Sequence, residues 1–208
     1  MLQLTGAAAV AGLAGGTGAG GGGEGSGATA TSTPTESDHQ ETEGENHDEE
    51  GSDDGHNHDE GTPQEPSATA TVSMRTEGSG QHYGPHVVWI ESGGTVTWEL
   101  ESGTHDVTAY HPDNDKLLRI PEAADSWSTE LLSDHGTTFE RTFETEGVYD
   151  YFCTPHEAVG MVGTVIVGEP EAHDQPGLEE PDGSLPEGAR SELTDLNKKV
   201  NEALGHTH

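Results

Sequence analysis

Short apolar runs with the two-residue period of a β-strand fill residues 72–168, and a segment patterned that way has few folds open to it. Val87-Val88-Trp89-Ile90 reads as a short buried strand, and Gly93-Gly94 marks a turn behind it. Residues 95–100 then alternate, which puts Val96, Trp98 and Leu100 on one face. The next strand is predicted over 105–110. Residues 137–144 set Phe139 and Phe143 on one side, where Arg141 interrupts the apolar face and fits only an edge. The last two strands are 148–153 and 161–167. Residues 111–136, with Pro112 and Pro121, form an irregular excursion with one helical turn near 122–125. Six or more short strands with turn signals between them, and no long helical pattern, predict an all-β fold of the β-sandwich type.

The flanks have too little apolar surface to join that core. Only 28% of the 208 residues are hydrophobic, so the length accommodates one domain of ordinary size and tails around it. Residues 16–71 are Gly, Ser, Thr, Glu, Asp and His, a composition that predicts a disordered, self-repelling linker. His39, His47, His56 and His58 lie in it among acids, and a solvated tether accounts for them better than a copper collector does. Residues 1–15 resemble the apolar part of an export signal, too short to span a membrane and without the basic start of a complete signal. They look like the second half of a twin-arginine signal, which places the natural start of translation upstream and the protein outside the cytoplasmic membrane. Gly16 stands where a lipid-anchored protein would carry its cysteine, so lipid anchoring is unsupported. Residues 169–190 read as an acidic Pro/Gly linker. Residues 191–204 form a short amphipathic helix with Leu193, Leu196, Val200, Ala203 and Leu204 on one stripe, Ser191 as N-cap and Gly205 as stop. That stripe fits either the domain's own surface or a partner helix.

Charge removes several classes of partner. The chain carries 40 acidic and 7 basic residues, a formal net charge of −33. Phosphate backbones and anionic membrane surfaces would both be repelled. Solvation, as at high salt, explains the acids better than steering toward a basic partner, because they spread over the whole chain.

The chemistry is concentrated in Cys153-Thr154-Pro155-His156-Glu157-Ala158-Val159-Gly160-Met161, which contains the one cysteine of the chain. An internal disulfide is therefore excluded. A thiolate, an imidazole and a thioether lie within nine residues, on a loop between two neighbouring strands that returns them to one point. One more histidine completes the trigonal His₂Cys set with a weak axial Met that suits a copper ion cycling between Cu(II) and Cu(I). His105 suits best, because it opens a strand and follows the turn-prone Ser102-Gly103-Thr104. His82, His86, His111 and His135 remain alternatives, His86 foremost. Zinc prefers closed tetrahedral sites without a thioether. A Cys–His nucleophile pair lacks a third group to orient it. An enzyme would need a second, open copper site, and the domain has no His-x-His pair to build one, so an enzyme is not expected.

Three segments, 94–98, 104–107 and 147–163, resemble the plastocyanin/halocyanin group of blue copper proteins. The acidic excess and the long linker look most like halocyanins of salt-loving archaea. The resemblance implies a Greek-key, cupredoxin-like sandwich over 72–168 with one copper held by His105, Cys153, His156 and Met161. It implies one-electron carriage outside the cytoplasmic membrane. Pro155, Ala158, Val159 and Gly160 around His156 predict a small apolar patch for transient docking, near His156 and Val159, with redox proteins of an electron-transport chain, and a monomer is expected. The runner-up function is copper storage or delivery. One residue departs from the family pattern: an Asn commonly follows the first ligand histidine, and here it is Asp106. A carboxylate there should favour Cu(II) and lower the reduction potential.

Overall fold

The computed structural model describes residues 61–205. The export-like segment 1–15 and most of the predicted disordered linker, 16–60, lie outside the described residues. Strands β1 (Ser67–Glu77), β2 (Gly80–Gly84), β3 (Val87–Leu100), β4 (Thr108–Ala109), β5 (Thr138–Phe143), β6 (Gly147–Phe152) and β7 (Val162–Val167) precede one helix, α1 (Glu187–Ala203). The strands are connected in the order β2-β1-β3-β7-β6-β4, with β5 on β3. β1 begins at Ser67, five residues before the apolar pattern suggested.

β3 joins the two layers of the sandwich. Its first residues, Val87 to Ile90, pair in parallel with β7. Its later residues pair with β5 antiparallel and with β1 in parallel. The expected turn at Gly93-Gly94 is a bend inside this continuous strand: Gly93 has φ +81°, and a Cβ on Gly94 would lie 2.8 Å from the Glu91 carbonyl and 3.0 Å from that of Ala68. The β1 register jumps there, from Ser67 opposite Ile90 to Thr69 opposite Thr95, as a bulge requires.

Alternation along the strands gives two apolar clusters. Between the layers, Trp98 meets Tyr151 edge-on at 5.3 Å and stacks on Phe139 at 5.6 Å; Val72, Met74, Leu100 and Val165 surround them. On the opposite face, Val148, Phe152, Val162 and Ile166 are covered by Ala189, Leu193, Leu196 and Val200 of α1. The amphipathic stripe therefore docks on the domain itself. Each such side chain contributes about 1.5–3 kcal/mol when fully buried. The helix starts at Glu187, with Pro186 as the N-cap residue, rather than at Ser191.

Several local expectations change. The strand expected over 105–110 is reduced to Thr108–Ala109, because residues 127–132 run alongside it: His105 bridges Leu132, Thr108 bridges Ser128, and the Ala109 N–H donates to the Trp127 carbonyl at 2.9 Å. The helical turn of the excursion lies at Pro112–Asn114, where His111 Nδ1 accepts the Asp113 N–H; residues 121–124 form only a hydrogen-bonded turn. Arg141 lays its guanidinium over Trp127 at 4.5 Å and Phe143 at 5.4 Å and donates to the Asp125 carbonyl. Its place on an apolar face is thus a cation–π seat. The predicted linker after Gly168 packs on the sandwich, with a 3₁₀ turn at Pro176–Leu178 and a buried Gly177. The buried Arg119 holds it, donating from Nε to Asp150 at 2.8 Å and from its terminal nitrogens to the carbonyls of Gly177 and Glu179. No helix among the described residues is long and apolar enough to cross a membrane.

Candidate metal centre

β6 ends at Phe152, and the chain passes through Cys153 into a 3₁₀ turn, Thr154–Val159. Pro155 sits in its first positions, where its missing N–H costs nothing. Gly160 ends it in the left-handed region at φ +91°. Three backbone hydrogen bonds close the loop: His156 N–H to Cys153 C=O at 3.0 Å, Met161 N–H to His156 C=O at 3.1 Å, and Cys153 N–H to Met161 C=O at 3.0 Å. The three expected donors of this segment are thereby tied to one another through the main chain.

His105 arrives from the β3–β4 connection. Cys153 Sγ lies 3.2 Å from His156 Nδ1 and 3.7 Å from His105 Nδ1, and the two Nδ1 atoms are 3.2 Å apart. The rings meet edge to face, their centroids 5.0 Å apart. No other three His, Cys or acidic side chains among the described residues converge this way. A point equidistant from three atoms so spaced lies about 2 Å from each, the length of a metal–imidazole bond. Met161 is fully buried in the same cluster as Cys153. A soft thiolate, two imidazoles and a thioether close by, with no carboxylate among the donors, fit copper.

The surroundings fix these donors. Thr76 Oγ1 lies 3.1 Å from His105 Nε2, which turns Nδ1 toward the sulfur. Gly103, at φ +87°, admits this contact; a Cβ there would lie 2.7 Å from His105 Nε2. Asp106 Oδ1 accepts the Thr154 N–H at 2.6 Å and so joins the two donor-bearing loops. The Asp106 carbonyl accepts the Tyr83 hydroxyl, also at 2.6 Å. Under the loop, the buried Glu157 carboxylate accepts a hydrogen bond from Lys116, whose ammonium also lies 4.8 Å from the centre of the Phe152 ring.

Burial sets the protonation. The Cys153 thiol is pushed up to about 12, chiefly by desolvation. His105 is lowered to about 4, by burial first and by His156 second. At neutral pH His105 is therefore a neutral imidazole with a free lone pair, and a metal taking Cys153 must displace its proton. His105, Cys153 and Met161 are fully buried, while His156 is partly exposed.

The other histidines stay apart. His86 Nδ1 pairs with Glu192 of α1 at 3.2 Å, and His82 stacks on His86 at 6.4 Å. His111 caps its 3₁₀ turn and His135 is exposed. The supporting groups Thr76, Lys116 and Glu157 went unnoticed in the sequence. Glu157 left a trace, an acid inside the otherwise apolar donor loop.

Residues 70–168 match the family of copper binding proteins described as plastocyanin/azurin. A plastocyanin from Scenedesmus fuscus is 32% identical over 98 residues, which cover 47% of this chain and 97% of that protein. The chain belongs to the plastocyanin/azurin family of copper-binding proteins. A halocyanin from Natronomonas pharaonis is 37% identical over 91 residues, 43% of this chain; the chain spans only half of that relative's length. A pseudoazurin from Methylobacterium extorquens AM1 superposes with a TM-score of 0.51 over 64% of this chain and 98% of its own, at 23% identity. That likeness identifies the cupredoxin fold. Copper is the cofactor of the family.

Proposed function

We propose that this protein is a mononuclear blue-copper one-electron carrier, cycling Cu(II)/Cu(I) between redox partners outside the cytoplasmic membrane. The convergence of Cys153 Sγ with the Nδ1 atoms of His105 and His156 carries this reading. His105, Cys153 and His156 would hold the copper, with the Met161 thioether as a fourth, weaker donor. Copper, when bound, supplies the one-electron change. The protein's part is to keep the donors still, so that little rearrangement accompanies that change. Thr76 holds His105 from behind, and the Asp106–Thr154 bond keeps the two loops together.

His156 presents its ring at the surface, beside the exposed Pro155 and Ala158 and Val159, which is 65% exposed. A small apolar patch of this kind suits brief contact with redox proteins of an electron-transport chain, since small interfaces dissociate quickly. The carrier works as a monomer, is not an enzyme, and spans about 72–168. The export-like residues 1–15 support the extracytoplasmic location.

Titration of the metal-free protein with Cu(II) tests the proposal. The expected result is one copper per chain, intense absorption in the red and reversible one-electron redox, all lost in Cys153→Ser. A colourless titration of the wild type overturns it. Several coppers per chain would favour storage or delivery, with the histidines of 16–71 as collectors.

A further inference from the structure

The first turn of α1 meets the donor loop backbone against backbone. A Cβ on Gly188 would lie 2.5 Å from the Ala158 carbonyl oxygen, 2.9 Å from Gly160 N and 2.9 Å from Val159 C. Seen from the other side, a Cβ on Gly160 would lie 3.2 Å from the Gly188 carbonyl oxygen. The three atoms nearest a Cβ on Gly188 are all backbone, so no flexible side-chain end gives way first. The segment it touches, Ala158 to Gly160, connects His156 to Met161.

The helix is itself fixed. Its apolar stripe is buried on β6 and β7. Asn197 donates to the carbonyls of Leu178 and Glu179 at 3.3 and 3.1 Å. Glu192, one turn after Gly188, pairs with His86, whose carbonyl accepts the Thr164 N–H of β7 at 2.9 Å. The family match ends at residue 168, so this brace comes from sequence outside the matched domain.

The geometry points to Gly188 as a positioning residue: the start of α1 sets where the Ala158–Gly160 backbone lies, and through it where Met161 stands relative to Cys153, His105 and His156. The inference rests on the copper reading of those four residues. Axial donation tunes the reduction potential of such a centre, so α1 tunes it without contacting the metal.

Gly188→Ala tests this in the full chain, with Gly183→Ala as control because nothing lies within 4 Å of a Cβ at Gly183. In the copper-loaded Gly188→Ala protein, the electron-exchange equilibrium constant with a small reductant should shift at least about threefold, or about 28 mV at 59 mV per tenfold change. The relative intensities of the visible bands should change with it, and Gly183→Ala should leave both alone. In the metal-free protein, hydrogen exchange of the Gly160 and Met161 amides should quicken in Gly188→Ala only. An unchanged potential and spectrum overturn the proposal. If the wild type takes no copper, the copper reading fails, and unchanged amide exchange would overturn the bracing itself. Should Gly188→Ala not fold, Leu196→Ala loosens the helix seat two turns away. Faster exchange along α1 with quicker Gly160 and Met161 exchange and a shifted potential then supports the proposal, and a loosened α1 with both unmoved overturns it.

Discussion

The cluster between the layers and the cluster under α1 are built from alternate residues of the same strands. Tyr149, Tyr151 and Cys153 point one way, Val148 and Phe152 the other. Yet the two differ in kind. The inner cluster ends in the buried donors Cys153 and Met161, with the fully buried His105 beside them. The outer one contains no donor and is closed by aliphatic side chains of a helix. One region thus combines packing with a candidate metal-binding end, while the other brings packing and no donor of its own. A functional centre can be set into a core where a second core behind it holds the same strands.

The largest effect should follow from breaking the inner cluster. Trp98→Ala removes the side chain that touches Tyr151, Phe139 and Phe143. It should cost about 3–5 kcal/mol of unfolding free energy in denaturant titrations. Next comes the acid response of the metal-free protein. His105 titrates near 4 when folded, against 6.5 as its ordinary value. The folded state resists this proton, so stability is intact above about 6.5 and declines as pH falls toward 4. At about 1.4 kcal/mol per pH unit the loss from this group is at most about 3.5 kcal/mol. Wild type and His105→Gln, unfolded across that window, should diverge; parallel curves would remove His105 from the account.

Leu196→Ala examines the outer cluster. A loss of about 2–3 kcal/mol is expected, with copper still bound. Loss of copper binding would show the two regions to be less separable than described. The smallest change is electrostatic. Asp106→Asn removes a charge at the joint between the donor loops while leaving an oxygen to accept the Thr154 N–H. A negative charge beside the donors favours Cu(II) over Cu(I), so its removal should raise the potential. Redox titration should find the variant at a higher potential, and an equal or lower value would contradict the role given to Asp106.

Much of the inner cluster was legible because alternation survives where one face is polar: Val96, Trp98 and Leu100 announced it, as Cys153, His156 and Met161 announced the donor loop. His105 was harder, since its partner stretch around Leu132 carries no strand period and the bridge between them is tertiary. Gly93-Gly94 signals a turn because glycines mark a break in direction, and a bulge that carries one strand between layers leaves the same mark. The cover on the outer face was also written in the chain. Residues 148–153 and 162–167 are buried on both sides, and a strand without a polar face needs a second lid. The amphipathic stripe at 193–204 was that lid, though nothing in its own periodicity said where it would land. Thr76 and Lys116 could not have been singled out, because a lone polar residue becomes a support only through what folds against it.

Arg119 has a consequence for how the molecule comes apart. Its one guanidinium meets Asp150 of β6, the carbonyls of Gly177 and Glu179, and, at 3.5 Å, Asn197 of α1. Peeling the C-terminal segment away would leave the Arg119–Asp150 pair in place but take from the guanidinium the carbonyls of Gly177 and Glu179 and the contact with Asn197. Fraying from that end costs those hydrogen bonds, so residues 169–205 are expected to open together with the sandwich rather than ahead of it, which hydrogen exchange of the α1 amides would read.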